Sequence, residues 1–144
     1  AWSPERAAAA VIAEQNTSSV RWSLVADDFV GAVLDDLGAE WLEAVGAPVP
    51  VDLSLAGERI WTLTRLFNLR EGFTRDDDAL PEVFTEPVEA ETARPVDPAT
   101  FERMLDAYYE LRGWDADGRP TVETLARLDL LDVVDDETPV DPDR

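Results

Sequence analysis

Carboxylates and arginines are the side chains here that could do chemistry. The 144 residues hold 32 acidic and 12 basic side chains, with no histidine and no cysteine. Without imidazole or thiolate, the chain offers no general base tuned near neutral pH and no soft metal ligand. Ser/His/Asp and Cys/His arrangements are excluded with them, and no glycine-rich phosphate loop occurs. Glu58 and Glu71 could be argued as an acid–base couple, but at their spacing along one helix they stand about 20 Å apart. Arg59, Arg65 and Arg112 could clamp an anion. Each lies in a helical stretch with acids nearby, so ordinary ion pairing is the expected role. Tyr108, Tyr109 and Trp114 read as core or domain-interface aromatics rather than as cofactor stackers. The most specific stretch is RLFNLREGFTRDDDALP, residues 65–81. It starts as an apolar helix and stops at Gly72. Asp76, Asp77 and Asp78 are then expected to cap backbone amides or pair with Arg70 and Arg75, while Pro81 fixes the exit.

The elements that must position these residues are helical. Ser3, Pro4 and Glu5 form a helix start, with a capping hydroxyl, proline at the first helical position and an acid at the positive end of the dipole. That helix is expected to run to about Asn16, where Thr17, Ser18 and Ser19 should break it. A second helix is expected from roughly Asp28 to Leu37, and a short one from Ala39 to Val45 that closes at Gly46. APVPVD links to the longest element, which Asp52 caps. In it Ala56, Ile60, Leu63 and Phe67 form one apolar face, widened by Leu66 and Leu69. Residues 82–97, with two prolines and five acids, read as an acidic, extended connector. Asp97 and Pro98 open a further helix with Phe101, Met104, Leu105, Tyr108 and Leu111 as its stripe, ended by Gly113. DADG is a turn, Thr121 caps a last short helix, and residues 135–144 form an acidic tail expected to fray. No stretch alternates strictly enough for a strand. The fold class is therefore all-α: a single multihelical domain over 1–144, with about five or six helices in an orthogonal, bundle-like arrangement.

Composition narrows the partners. A formal net charge of −20 and the use of arginine for every basic residue resemble a proteome-wide adaptation to concentrated salt. At about 1 M salt the Debye length is about 3 Å, so the acids repel one another little. They are spread along the chain rather than gathered in a block, which ranks an acidic mimic of nucleic acid lower. No basic stripe exists to neutralise phosphates, so nucleic acid is not an expected partner. The apolar fraction of 45% and five tryptophans argue for a real core. AWSPERAAAAVIAEQ carries only a short apolar run, and nowhere do 18 apolar residues follow one another, so no signal peptide and no membrane span are expected. The expected compartment is the cytoplasm.

Two blocks carry a family resemblance: GERIWTLTRLFNLREGFTRDDDALP and MLDAYYELRGWDADGRPTVETLARLDL. Together they resemble the C-terminal domain of the aldehyde ferredoxin oxidoreductase family, over roughly residues 20–134. The resemblance implies a helical domain that packs on the rest of an enzyme holding a tungsten or molybdenum bis-pterin cofactor and a [4Fe-4S] cluster. That enzyme would oxidise aldehydes to carboxylic acids and pass electrons to ferredoxin. Upstream of the blocks the family has a loop of the form Asp-x-x-Gly-Leu-Cys, whose Asp and Leu contact a pterin and whose Cys ligates the cluster. WSLVAD, residues 22–27, stands there. Ser23 and Leu24 fit the spacing, whereas Trp22 replaces the Asp, Val25 the Gly, Ala26 the Leu and Asp27 the Cys. A carboxylate at Asp27 is a harder ligand for iron than thiolate, and with the pterin contacts also replaced, Asp27 and Asp28 read first as helix-start or surface acids. The expectation is a chain that holds no cofactor and does no chemistry alone. Its partner would be the N-terminal, catalytic portion of the oxidoreductase; a degenerate structural module, or self-association into a homo-oligomer, is the competing expectation.

Overall fold

A computed structural model describes residues 2–26, 38–47, 52–85 and 95–140. Among these residues the chain forms five α-helices and no strand: α1 Pro4–Ser23, α2 Ala39–Ala44, α3 Leu53–Arg70, α4 Pro98–Arg112 and α5 Val122–Arg127. The helix expected over residues 28–37 lies outside the described residues.

Four of the five starts follow from capping chemistry. Ser3, Asp52, Asp97 and Thr121 each accept a hydrogen bond from the backbone amide three residues on, satisfying a donor that the first turn leaves free. Thr100 donates to the Asp97 carboxylate from both its hydroxyl and its amide, which holds that group below the usual carboxylate range. The five ends also share one geometry. In each, paired amides close back onto the last turn, as in Ala26 to Arg21 with Val25 to Trp22, or Trp114 to Tyr109 with Gly113 to Glu110. Such a closure places its central residue in the left-handed region. Gly46, Gly72 and Gly113 occupy three of these places, and Val25 (φ 60°) and Asp129 (φ 54°) the other two.

Three expectations need correction. Helix α1 does not break at Thr17–Ser19 but continues to Ser23. The serines stay helical because Ser19 and Ser23 donate back to the carbonyls of Gln15 and Ser19, at 2.7 and 2.8 Å, and Ser19 and Val20 are buried. On α3 the expected core stripe is the outer one: Leu63 and Phe67 are 43% and 54% exposed, while Gly57, Thr62, Arg65, Leu66 and Leu69 are buried. Likewise Leu111 is exposed on α4, and Arg112 beside it is buried.

Helix α1 packs on both α3 and α4. The α1–α3 approach requires Gly57, because a Cβ there would lie 2.2 Å from the Asn16 carbonyl oxygen. Beyond α3, the loop that Gly72 opens contains a single 3-10 turn, Arg75–Asp78, and a second turn follows at Glu82–Phe84. Residues 86–94 of the expected connector lie outside the described residues, but its ends meet: the Val96 amide donates to the Phe84 carbonyl at 2.8 Å. On the other side of α3, Leu66 joins Leu125, Leu128 and Leu130 in the main apolar cluster, with Val134 and Val140 against it. The acidic segment after residue 134 is thus tied down over its first part. Asp135 and Thr138 form a hydrogen-bonded turn and Thr138 is buried.

Candidate functional site

Residues 22–26 form the end of α1 and its closure. Trp22 and Ser23 are the last helical turn, and Leu24 is the C-cap. The Ser23 hydroxyl donates to the Ser19 carbonyl, the Ala26 side chain is buried, and Leu24 packs where a Cβ on Gly38 would stand 2.8 Å from its Cδ1. Trp22 is half exposed. Asp27 lies outside the described residues. The described part of the loop does not fit a pterin or a cluster: its one hydroxyl is engaged within its own helix, and its other side chains are hydrocarbon or indole. Among the described residues no three acidic side chains converge as metal ligands.

The residues that do converge lie between α3, the 73–81 loop and α4. Thr74 caps the loop's turn, with the Asp77 carboxylate accepting its amide at 2.8 Å. Asp78 turns inward instead, accepts the Tyr109 hydroxyl and stands 2.9 Å from Arg65 Nη2. That nitrogen makes no aligned hydrogen bond, so charge rather than geometry holds the pair. Arg65, itself buried, donates from Nε to the Gly118 carbonyl at 2.8 Å and lies over the rings of Trp114 and Tyr109. Arg75 does not pair with the loop aspartates as expected. It reaches Glu102 at 2.9 Å and Asp106 at 2.7 Å on α4, clamping the loop to that helix. Glu102 is the main reason that the Arg75 guanidinium holds its proton above the usual range. Among the described residues, the carboxylate contacts of Arg70 are long, 3.9 Å to Glu71 and to Asp135.

Burial, then the hydrogen bond and charge of Asp78, push the Tyr109 phenol well above its ordinary range. It therefore stays protonated at physiological pH and serves as a donor. With Arg65 neutralised by Asp78, the cluster is a lock on the loop rather than an acid–base couple. The aromatics fit that role: Tyr108 meets Trp114 edge-on at 5.7 Å, and Tyr109 and Trp114 are buried. Beside the cluster, α1, α3 and α4 leave a half-open cleft of about 380 Å³. Ala7, Ala8 and Val11 of α1 are too small to fill the space that faces Trp61, Met104 and Leu105.

Arg112 is the least expected residue. It is 1% exposed and has no carboxylate partner among the described residues. Its guanidinium donates to Asn16 Oδ1 at 2.7 Å, Gln15 Oε1 at 2.8 Å and Tyr108 Oη at 3.2 Å, and lies over the Trp61 and Tyr108 rings. Neutral acceptors and ring faces thus solvate a buried cation. Arg59 and Arg65 do ion-pair as expected, with Asp129 and Asp78. The carboxylates of Glu58 and Glu71 have separate partners, Arg127 and Arg70. Sequence reasoning missed the amide pair Gln15–Asn16, for which no local signal exists. It also passed over Gly57, whose place inside a helical pattern was a usable sign of close approach.

These features define a class: a helical domain whose inward arginines are engaged by its own fold, and whose helix α3 keeps a second apolar face partly exposed among the described residues. A model of the family described as "Aldehyde ferredoxin oxidoreductase, domains 2 & 3" matches residues 2–130, and the chain belongs to that family. It is similar to the tungsten-containing aldehyde ferredoxin oxidoreductases of Pyrococcus furiosus (40% identical over 77 residues) and Pyrococcus horikoshii (43% over 75 residues). The matched parts are 53% and 51% of this chain, and 13% and 12% of those relatives. A third relative, from Thermococcus kodakarensis, is 39% identical over 77 residues, 53% of this chain and 13% of that protein. The chain therefore spans a small fraction of the length of the curated relatives it matches.

Proposed function

We propose that the chain is the C-terminal helical piece of an aldehyde ferredoxin oxidoreductase-like assembly, and that its work is to complete the shell around a cofactor held by the remaining polypeptide. The observation that carries this reading is the family match over residues 2–130 in a chain that covers only 12–13% of its Pyrococcus relatives. The assembly would oxidise an aldehyde, with water, to a carboxylic acid and pass two electrons to ferredoxin in the cytoplasm. The tungsten or molybdenum bis-pterin and the [4Fe-4S] cluster would supply that redox chemistry. This chain's residues would supply position: Arg65, Asp78 and Tyr109 fix the 73–81 loop, and Arg112 fixes α4 against α1. Residues 22–26 offer no ligand, and Asp27 is given no iron-binding role. The replaced loop also favours a second reading, a structural module that keeps the fold and no longer meets the cofactor.

Gel filtration of the tagged chain from its own host's extract, at the host's salt concentration, separates the two readings. The first predicts co-elution with a cysteine-bearing polypeptide of the same family, together with tungsten or molybdenum and iron. Elution as a metal-free monomer or homo-oligomer without such a companion would leave the structural module.

A further inference from the structure

Helix α3 has two apolar faces, and the described residues bury one of them. Leu66 joins the apolar cluster around α5, Leu69 is buried, and Gly57 and Arg65 face α1 and the 114–118 loop. Ala56, Ile60, Leu63 and Phe67 recur on the opposite side at helical spacing over three turns; Ala56 and Ile60 are half-buried, and Leu63 and Phe67 are 43% and 54% exposed. A surface helix normally alternates an apolar stripe with a charged face. A second stripe of this length points to a second packing layer.

We infer that this stripe is the docking surface for the polypeptide that carries the rest of the family fold, through a segment that is apolar at its centre and acidic along one edge. The inference rests on the proposed function and deepens it by assigning the contact. One observation selects this occupant over a second copy of the chain. Most of the length of the relatives lies outside the region matched here, so in the family fold α3 belongs to a much larger body. A second copy is the rival occupant, because in concentrated salt its charge of −20 would repel little, and the test below separates the two. The acidic edge follows from Arg59 and Arg70, which helical spacing places along one side of the stripe. Arg70 stands 5.5 Å over the Phe67 ring with only 3.9 Å contacts to carboxylates, and Arg59 reaches an almost fully exposed Asp129 at 3.4 Å. The Arg70 guanidinium can turn to an acid across an interface without leaving a buried charge behind, and that of Arg59 can accept one while keeping its 2.9 Å bond to the Leu128 carbonyl.

The test uses the full chain and the family companion recovered with it. Leu63→Glu/Phe67→Glu is compared with Val83→Glu, which alters an exposed apolar residue elsewhere. Circular dichroism should show all three proteins equally folded, since the altered side chains are outside the core. The inference predicts that the double variant binds the companion at least about 30-fold more weakly, the size of an interface hot spot, while Val83→Glu stays within about threefold. Equal binding by both variants would overturn the docking surface and leave the proposed function standing. Failure of the wild-type chain to bind any such companion would remove the proposed function and the surface with it. Wild-type self-association abolished by the double variant would make a second copy the occupant and overturn the inference.

Discussion

Val25 sits where a helix closure needs a left-handed residue, at φ 60°, with its side chain 92% exposed. A β-branched residue gains no packing there to offset the strain, and the family loop that this stretch resembles has glycine in the same place. Left-handed backbone costs an L-residue about 1–2 kcal/mol, and glycine's freer unfolded chain returns part of that. Val25→Gly should therefore stabilise the fold by about 1 kcal/mol, read as a higher urea midpoint; an unchanged or lower midpoint would mean the strain is not there. Tyr109 makes a second residue-scale prediction. Its folded phenol keeps a proton to higher pH than the unfolded one, so its contribution to stability is complete below about pH 10 and is lost as pH rises toward the folded value. Urea midpoints should fall above that pH, and the fall should be shallower for Tyr109→Phe. With no lysine or cysteine in the chain and Tyr108 the one other phenol, few other side chains titrate there to obscure the comparison. Equal slopes would refute the assignment.

At the scale of the elements, capping residues and closing glycines were legible because each acts on its own turn. Ser3, Asp52, Asp97 and Thr121 do what their side chains dictate, as do Gly72 and Gly113. What periodicity could not decide was which of two apolar stripes on α3 the isolated fold would bury. Ala56, Ile60, Leu63 and Phe67 make the better pattern, yet Leu66 and Leu69 make the core. Two apolar faces look alike in a sequence when one belongs to a neighbour. The serine run at 17–19 failed as a helix break for another reason: hydroxyls that bond back one turn can remain in a helix whose face is buried. At the site, the roles of Arg65 and Asp78 were half legible: Arg65 was expected to pair with an unnamed acid, and Asp78 to cap an amide or pair with Arg70 or Arg75 rather than with Arg65. The Gln15–Asn16–Arg112 contacts were hidden because the groups are distant in the chain. Gly57 yields the element-scale prediction. In an exposed helix interior Gly→Ala stabilises by about 0.5–1 kcal/mol. Here the added carbon would meet the Asn16 carbonyl at 2.2 Å, so Gly57→Ala should push α1 from α3 and destabilise by about 1–3 kcal/mol in urea unfolding. A stabilised variant would contradict the close crossing.

The whole molecule carries a charge of −20 on a small helical body, and self-repulsion must weaken it in dilute buffer. Its melting temperature should rise steadily as sodium chloride goes from about 0.1 M to about 2 M, because screening shortens the reach of the acids to a few ångströms. A melting temperature that falls over that range would show that the ion pairs of Arg75 and Arg127 outweigh the repulsion. The same charge separates the molecule's two kinds of surface. The acidic exterior faces solvent, and on the inference above the apolar stripe of α3 would face another polypeptide. No described helix is long and apolar enough to cross a membrane. On the proposed function, the chain would complete an oxidoreductase whose remaining polypeptide holds the cofactor. The most direct measurement is aldehyde-dependent reduction of a one-electron dye by the family companion, expressed with and without this chain at matched metal content. The account predicts turnover only when the chain is present, or restored when it is added back. Equal turnover by the companion alone would contradict it.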